Sequence, residues 1–247
     1  MFCEDQPMEW ASSFRSHLAQ VHPPVGSQRQ LGLGSALSTS AYLDHPLTSF
    51  ALDLFFFLKS DQEMENNHTF LYFAYGSNLL KERLQLKNPS ATVHCVARLK
   101  DYKLVFGNHK GLASDRWHGG VATIERSPGD EVWGVVWRMN VTDLESLDSQ
   151  ENVTLGTYSP VELSVKTKGQ ELNCRTYIMN SCVYAPPSPQ YLQVIVMGAE
   201  QNGLPKDYQE KLRAVKTNMY EGPLPMMDEL ERARGRLRDT AESHALP

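Results

Sequence analysis

The chain has 247 residues, 41% of them hydrophobic, and a formal net charge of −5 at pH 7. That length holds one large domain or two small ones, with enough apolar surface for a sizeable core. The charge is mild and no basic stripe or aromatic-interleaved basic patch occurs, which argues against a nucleic-acid partner. No run approaches the roughly 20 apolar residues that a membrane-spanning helix takes.

Four cysteines, Cys3, Cys95, Cys174 and Cys182, form no CxxC pair, a usage that suits reduced thiols in the cytosol. Met1 to Trp10 carries Glu4, Asp5 and Glu9, where a secretory leader opens on positive charge. No such leader is expected, and the Asn-x-Thr sequons at Asn67, Asn140 and Asn152 are then expected to go unused. Residues 1–65 hold Pro23-Pro24 and the Gly32 to Ser40 tract and show no sustained period, so they read as a poorly ordered extension. The apolar run Phe50 to Leu58 within it reads alternatively as an arm that docks on the domain or on a partner.

A domain is expected over residues 66–222. It opens with Thr69-Phe-Leu-Tyr-Phe-Ala-Tyr-Gly-Ser-Asn-Leu-Leu80. Phe70 to Tyr75 is an aromatic and aliphatic run that suits a buried strand. Gly76 permits a backbone conformation that a Cβ would resist. Ser77 and Asn78 are N-cap types, and Leu79 to Leu86 carries a helical apolar pattern. Such a strand–turn–helix junction leaves N–H groups free for a carboxylate, a phosphate or an oxyanion. The spacing is neither a phosphate loop nor a Gly-x-Ser-x-Gly elbow. By pattern alone it also fits a plain turn with a capping serine.

Further along, Pro89 stops the helix. Val93 to Leu99, Tyr102 to Phe106, Val121 to Glu125 and Glu131 to Met139 read as strands, with a loop over Gly107 to Trp117 and a turn at Ser127-Pro-Gly-Asp130. The last of these strands is apolar on both faces, as a strand covered on both sides would be. Trp133 and Trp137 share one face and are expected in the core. Thr142-Asp-Leu-Glu145 has the form of a capping box and starts a short helix. Tyr158 to Lys166 and Glu171 to Met179 form a hairpin around Lys168-Gly169. Ser188-Pro189 opens a helix that ends near Asn202-Gly203, and Pro205 to Val215 is another. Residues 223–247 form a charged tail in which Met227 to Leu237 makes a marginal helix. Short strands at turn spacing with helices at the ends give an α+β fold, a small closed or nearly closed mixed β-barrel with flanking helices.

Few residues carry chemistry. Glu151 follows a short helix, at the end where the helix dipole repels an anion and raises a carboxyl pKa. A glutamate there also fits a solvated helix end. Ser77 has no base at motif spacing, and His118 fits a solvated loop histidine. The histidines form no HxH, HExxH or Cys/His cluster, so no metal site is expected.

Phe73-Ala-Tyr-Gly-Ser-Asn-Leu79 resembles the signature loop of the gamma-glutamylcyclotransferase family. The resemblance continues in order through Asn88 to Ser90, Val96 to Leu99, Trp117 to Gly120, Ser127 to Trp137, Ala185 to Tyr191 and Asn202 to Pro205. It spans nearly all of residues 69–222 and leaves the first 65 or so outside. It implies a mixed β-barrel with flanking helices, and a lyase of glutathione metabolism that converts γ-glutamyl amino acids to 5-oxoproline and a free amino acid. It also implies no cofactor, a cytosolic setting and a homodimer. Glu151 stands at the family's catalytic glutamate. Tyr72, Phe73, Ala74, Tyr75, Gly76 and Ser77 stand in its substrate-gripping loop, and Tyr191 at the residue that closes the pocket. The family often has Asp-Glu-Gln-Glu-Gly where this chain has Asp148-Ser-Gln-Glu-Asn152. Neither replaced residue carries the proton. A γ-glutamylamine cyclotransferase, or a binding protein that has lost turnover, are the alternatives.

Overall fold

The computed structural model describes residues 68–243. The expected extension over residues 1–65, its Phe50 to Leu58 run, Cys3 and Asn67 lie outside the described residues. β1 (Thr69–Ala74) runs antiparallel to β3 (Val121–Asn140), from Thr69 opposite Asn140 to Ala74 opposite Val135. On its other side β1 runs parallel to β5 (Glu171–Met179), with Tyr72 opposite Arg175. β4 (Tyr158–Lys166) pairs antiparallel with β5, and β2 (Thr92–His109) joins β4 to β3. The ring β3-β1-β5-β4-β2 closes on itself, so these strands leave no long unpaired edge. The expected mixed barrel is present. β6 (Cys182–Tyr184), not read from the sequence, adds a short strand to β2.

β2 is continuous where two strands were expected. The break falls at Asp101, whose φ of 61° a short polar side chain tolerates. Opposite it, Ser127 to Asp130 form a bulge inside β3 rather than a strand-ending turn. Asp101 Oδ1 accepts a hydrogen bond from the Gly129 N–H at 3.0 Å and holds the bulge in place. In β3, Val132, Val135, Val136 and Trp137 are all fully buried, which fits a strand covered on both faces. Trp133 is only partly buried, because its Nε1 donates to Glu131 at the solvent edge (2.9 Å).

The helices pack at the barrel ends. They are α1 (Lys81–Gln85), α2 (Leu144–Gln150), α3 (Pro189–Gln201), α4 (Lys206–Arg213) and α5 (Pro225–Ser243). Ser188 Oγ accepts the Tyr191 N–H, with Pro189 at the first helical position, so α3 starts as its sequence specifies. The expected capping box does not form at α2. Asp143 instead accepts both the N–H and the hydroxyl of Ser90, at 3.0 and 2.6 Å. α5 is longer than the marginal helix read from Met227 to Leu237. Leu224 and Leu230 are buried in the core, and such packing stabilises a helix beyond its propensity. Cys95, Cys174 and Cys182 are free thiols.

Candidate active site

β1 hands the chain to the site. Its ladder with β3 ends at Ala74, and a single 3₁₀ turn, Ser77–Leu79, follows Gly76. Leu79 N–H donates to Gly76 O and Leu80 N–H to Ser77 O, which uses the carbonyls of the turn. The first N–H groups of a helical turn have no partner within it. Leu80 is extended (φ −80°, ψ 120°), so the expected Leu79 to Leu86 helix is divided and α1 begins only at Lys81. Ser77 makes no capping bond. Gly76 has a negative φ, −111°, so left-handed freedom is not what it supplies. The need is space: a Cβ there would lie 3.0 Å from Ala122 Cβ and 3.4 Å from Tyr191 Oη.

α3 presses on this turn. A Cβ on Gly198 would stand 2.4 Å from Leu80 N, so only glycine lets the two backbones meet. Asn202 Nδ2 donates to Leu79 O at 2.8 Å and fixes the end of α3 against it.

Glu151 caps the C-terminus of α2 and faces the same turn. Asn78 Nδ2 lies 3.0 Å from Glu151 Oε1 and 3.0 Å from Tyr72 Oη. Asn78 Oδ1 accepts Gln150 Nε2 at 2.9 Å, and Asn88 Nδ2 donates to Gln150 Oε1 at 3.1 Å. One amide chain thus links α1's end, α2 and the turn. A second tie holds α2 to β5: Arg175 Nη2 donates to both Asp148 oxygens at 2.8 and 2.9 Å, and Tyr177 Oη to Asp148 Oδ1. With Arg175 Nε donating to Tyr177 Oη at 3.0 Å, the three side chains form one closed network.

Glu151, Gly76, Ser77, Asn78 and the rings of Tyr72, Tyr75, Tyr158, Tyr177 and Tyr191 enclose a narrow cavity of about 40 Å³. Ser77, Glu151, Tyr158 and Tyr191 also line a wider groove of about 350 Å³. The cavity and the groove therefore meet at the carboxylate. Tyr191 Oη accepts the Ala122 N–H at 3.0 Å, and Tyr158 Oη donates to Ala122 O at 2.7 Å.

Burial pushes the Glu151 carboxyl above the usual glutamate range, opposed by the positive charge of Arg83 and by hydrogen bonds from Asn78 and Gln150. Burial likewise raises Tyr72, Tyr75 and Tyr158 well above the ordinary phenol and pushes Tyr191 up to about 12. These hydroxyls stay protonated at neutral pH; Tyr75 and Tyr158 donate to the Tyr177 and Ala122 carbonyls, whereas Tyr72 and Tyr191 accept N–H bonds and keep their own protons to donate. The arrangement offers one carboxylate base beside two neutral hydroxyl donors, Tyr72 and Tyr191.

Residues 131–212 match the AIG2-like family. The gamma-glutamylcyclotransferase of Mus musculus is 59% identical over 168 residues, covering 68% of this chain and 88% of that protein. The Homo sapiens gamma-glutamylcyclotransferase is 59% identical over 158 residues, 64% of this chain and 84% of its own. This chain belongs to the gamma-glutamylcyclotransferase family. A solved gamma-glutamyl cyclotransferase structure superposes with a TM-score of 0.65 at 56% identity, over 66% of this chain and 99% of that one. The chain therefore shares the fold of an enzyme family.

Of the residues singled out in the sequence, Tyr72, Tyr75, Gly76, Ser77, Glu151 and Tyr191 meet around the cavity of this family member. Phe73 and Ala74 are buried but do not line it; the Phe73 ring lies against Gly134. His118 is exposed and stacks on Tyr220 (4.6 Å between centroids). Asn78, Tyr158, Tyr177 and Arg83 were missed as site residues. Arg83 left a signal: it interrupts the i, i+4, i+7 stripe Leu79, Arg83, Leu86 with a charge. Tyr158 and Tyr177 left none, since an aromatic residue in a strand reads as core.

Proposed function

We propose that this chain converts an L-γ-glutamyl amino acid to 5-oxo-L-proline and the free amino acid, with Glu151 as the proton carrier. The observation that carries the reading is the meeting of Glu151 with the Gly76–Ser77 turn at one cavity. The Glu151 carboxylate takes a proton from the substrate α-ammonium. The freed amine attacks the γ-carbonyl carbon and forms a five-membered ring and an oxyanion. The ring C=O then re-forms as the C–N bond to the departing amino acid breaks. Glu151 returns its proton to the leaving nitrogen and takes the surplus proton from the ring nitrogen. That proton then passes to the released amine, so the lactam leaves neutral and no water is consumed.

Holding amine and carbonyl in contact contributes most, since effective molarities of such ring closures reach about 10⁵–10⁸ M. The turn's N–H groups and the Tyr72 and Tyr191 hydroxyls supply donors for the oxyanion. Tyr191, whose Oη accepts the Ala122 N–H, is proposed to close the pocket. A carboxyl with a raised pKa suits the exchange, because its carboxylate takes a proton from the ammonium more readily than an ordinary glutamate does. A cytosolic homodimer, as the family resemblance implies, belongs to the same proposal and is tested by sizing the protein in solution. The direct test incubates the full chain with γ-glutamyl-alanine. One 5-oxoproline is expected for each alanine released, and alanine without 5-oxoproline would mean hydrolysis instead.

A further inference from the structure

Arg83, on α1, is 3% exposed. Among the described residues it makes no hydrogen bond and no ion pair, and its Nε is buried without a partner. Its guanidinium carbon stands 6.0 Å from the Trp117 ring centroid. A buried cation of this kind is costly unless something neutralises it, and one aromatic face does so only in part. Glu151 acts on it through its charge but makes no ion pair or hydrogen bond with it. Asp115 lines the same groove but is exposed and unpaired with Arg83. Arg116, also exposed, adds a second positive charge to that groove. Asn108, 8% exposed, lines it too, with Oδ1 unpartnered. The groove thus holds an unpaired buried cation and an unpaired acceptor, within one lining that includes Glu151.

The geometry points to Arg83 as the residue that recognises the carboxylate of the departing amino acid. The inference rests on the cyclotransferase reading. That substrate carries two carboxylates. The glutamyl one sits beside the amine that must reach Glu151, and so belongs with the narrow cavity. The other lies beyond the scissile bond, where only the wider groove has room. A guanidinium fork matches a carboxylate through two parallel N–H bonds, and Asn108 Oδ1 is available to the leaving nitrogen. The site therefore selects γ-glutamyl units that end in a free carboxylate and disfavours γ-glutamyl amides and amines.

The test compares γ-glutamyl-alanine with its C-terminal carboxamide on the full chain, by 5-oxoproline release. The wild type is expected to favour the acid in kcat/KM by about 10- to 100-fold, the range of a charged hydrogen-bond pair. In Arg83→Met the acid falls by about that factor while the carboxamide changes only a few-fold, and the preference collapses. Arg83→Lys, which keeps a cation in place, retains part of the preference with a raised KM for the acid. Equal wild-type rates on the two substrates overturn the inference and leave the cyclotransferase reading standing. An equal fall on both substrates in Arg83→Met also overturns it, since Arg83 then serves only the charge on Glu151 or the fold. No 5-oxoproline from either substrate defeats both readings.

Discussion

Replacing Asn78 with leucine tests how the carboxylate is held. Leucine nearly matches asparagine in shape, so no water enters in its place. Three hydrogen bonds disappear: to Tyr72 Oη, to Glu151 Oε1 and from Gln150 Nε2. At about 1 kcal/mol each, with the part-exposed Gln150 regaining a water, the loss of stability is about 2–3 kcal/mol. For a domain of this size that lowers Tm by about 4–12 °C. The functional effect has its own sign. The Asn78 bond favours the ionised form of Glu151, against burial. Without it the folded pKa rises further, so a higher pH is needed to ionise the base. The acid limb of kcat/KM against pH, already above the ordinary glutamate range, moves up again, and activity lost at neutral pH returns in part under alkaline conditions. Calorimetry and a pH–rate profile measure the two effects. A lowered Tm with an unmoved acid limb would refute the electrostatic reasoning and leave Asn78 a structural residue only.

Glu151→Gln is expected to lower kcat by about 10²–10⁴, the usual worth of a proton carrier. Burial raises its folded pKa, so the ionised carboxylate costs stability as pH rises through that range. The glutamine variant should therefore melt no lower than wild type at neutral pH; a lower Tm would contradict this. The two glycines of the site should separate. Gly198→Ala forces a Cβ to 2.4 Å from Leu80 N and should cost about 1–3 kcal/mol or more, read as a lower Tm. Gly76→Ala meets only Ala122 Cβ and Tyr191 Oη at 3.0 and 3.4 Å, so it should fold but lose kcat/KM; the reverse order of melting temperatures would show the contact reading to be wrong. Leu230→Ala removes a side chain 2% exposed and should cost about 2–5 kcal/mol. Hydrogen exchange should then rise over 225–235, and unchanged protection there would mean α5 is held by something else.

Local sequence determined much of this protein. The aromatic run into Gly76, the doubly apolar Glu131 to Met139 strand, the 158–179 hairpin and the Ser188-Pro189 start of α3 each follow from short-range pattern, because a strand's alternation and a helix cap are set by residues a few places apart. Glu151 stood out as an acid at the wrong end of its helix. Other features were not legible. The need for glycine at position 76 comes from Ala122 and Tyr191, and Asp143, inside the expected capping box, is bonded instead to Ser90 from elsewhere in the chain. The joining of β2 and β3 across the Asp101 bulge and the parallel β1–β5 pairing are also long-range. Tyr158, Tyr177 and Asn78 reach Glu151 only because barrel closure brings residues up to a hundred positions apart to one wall. Sequence spacing encodes contacts along an element, whereas a cavity between elements exists only after the ring has shut.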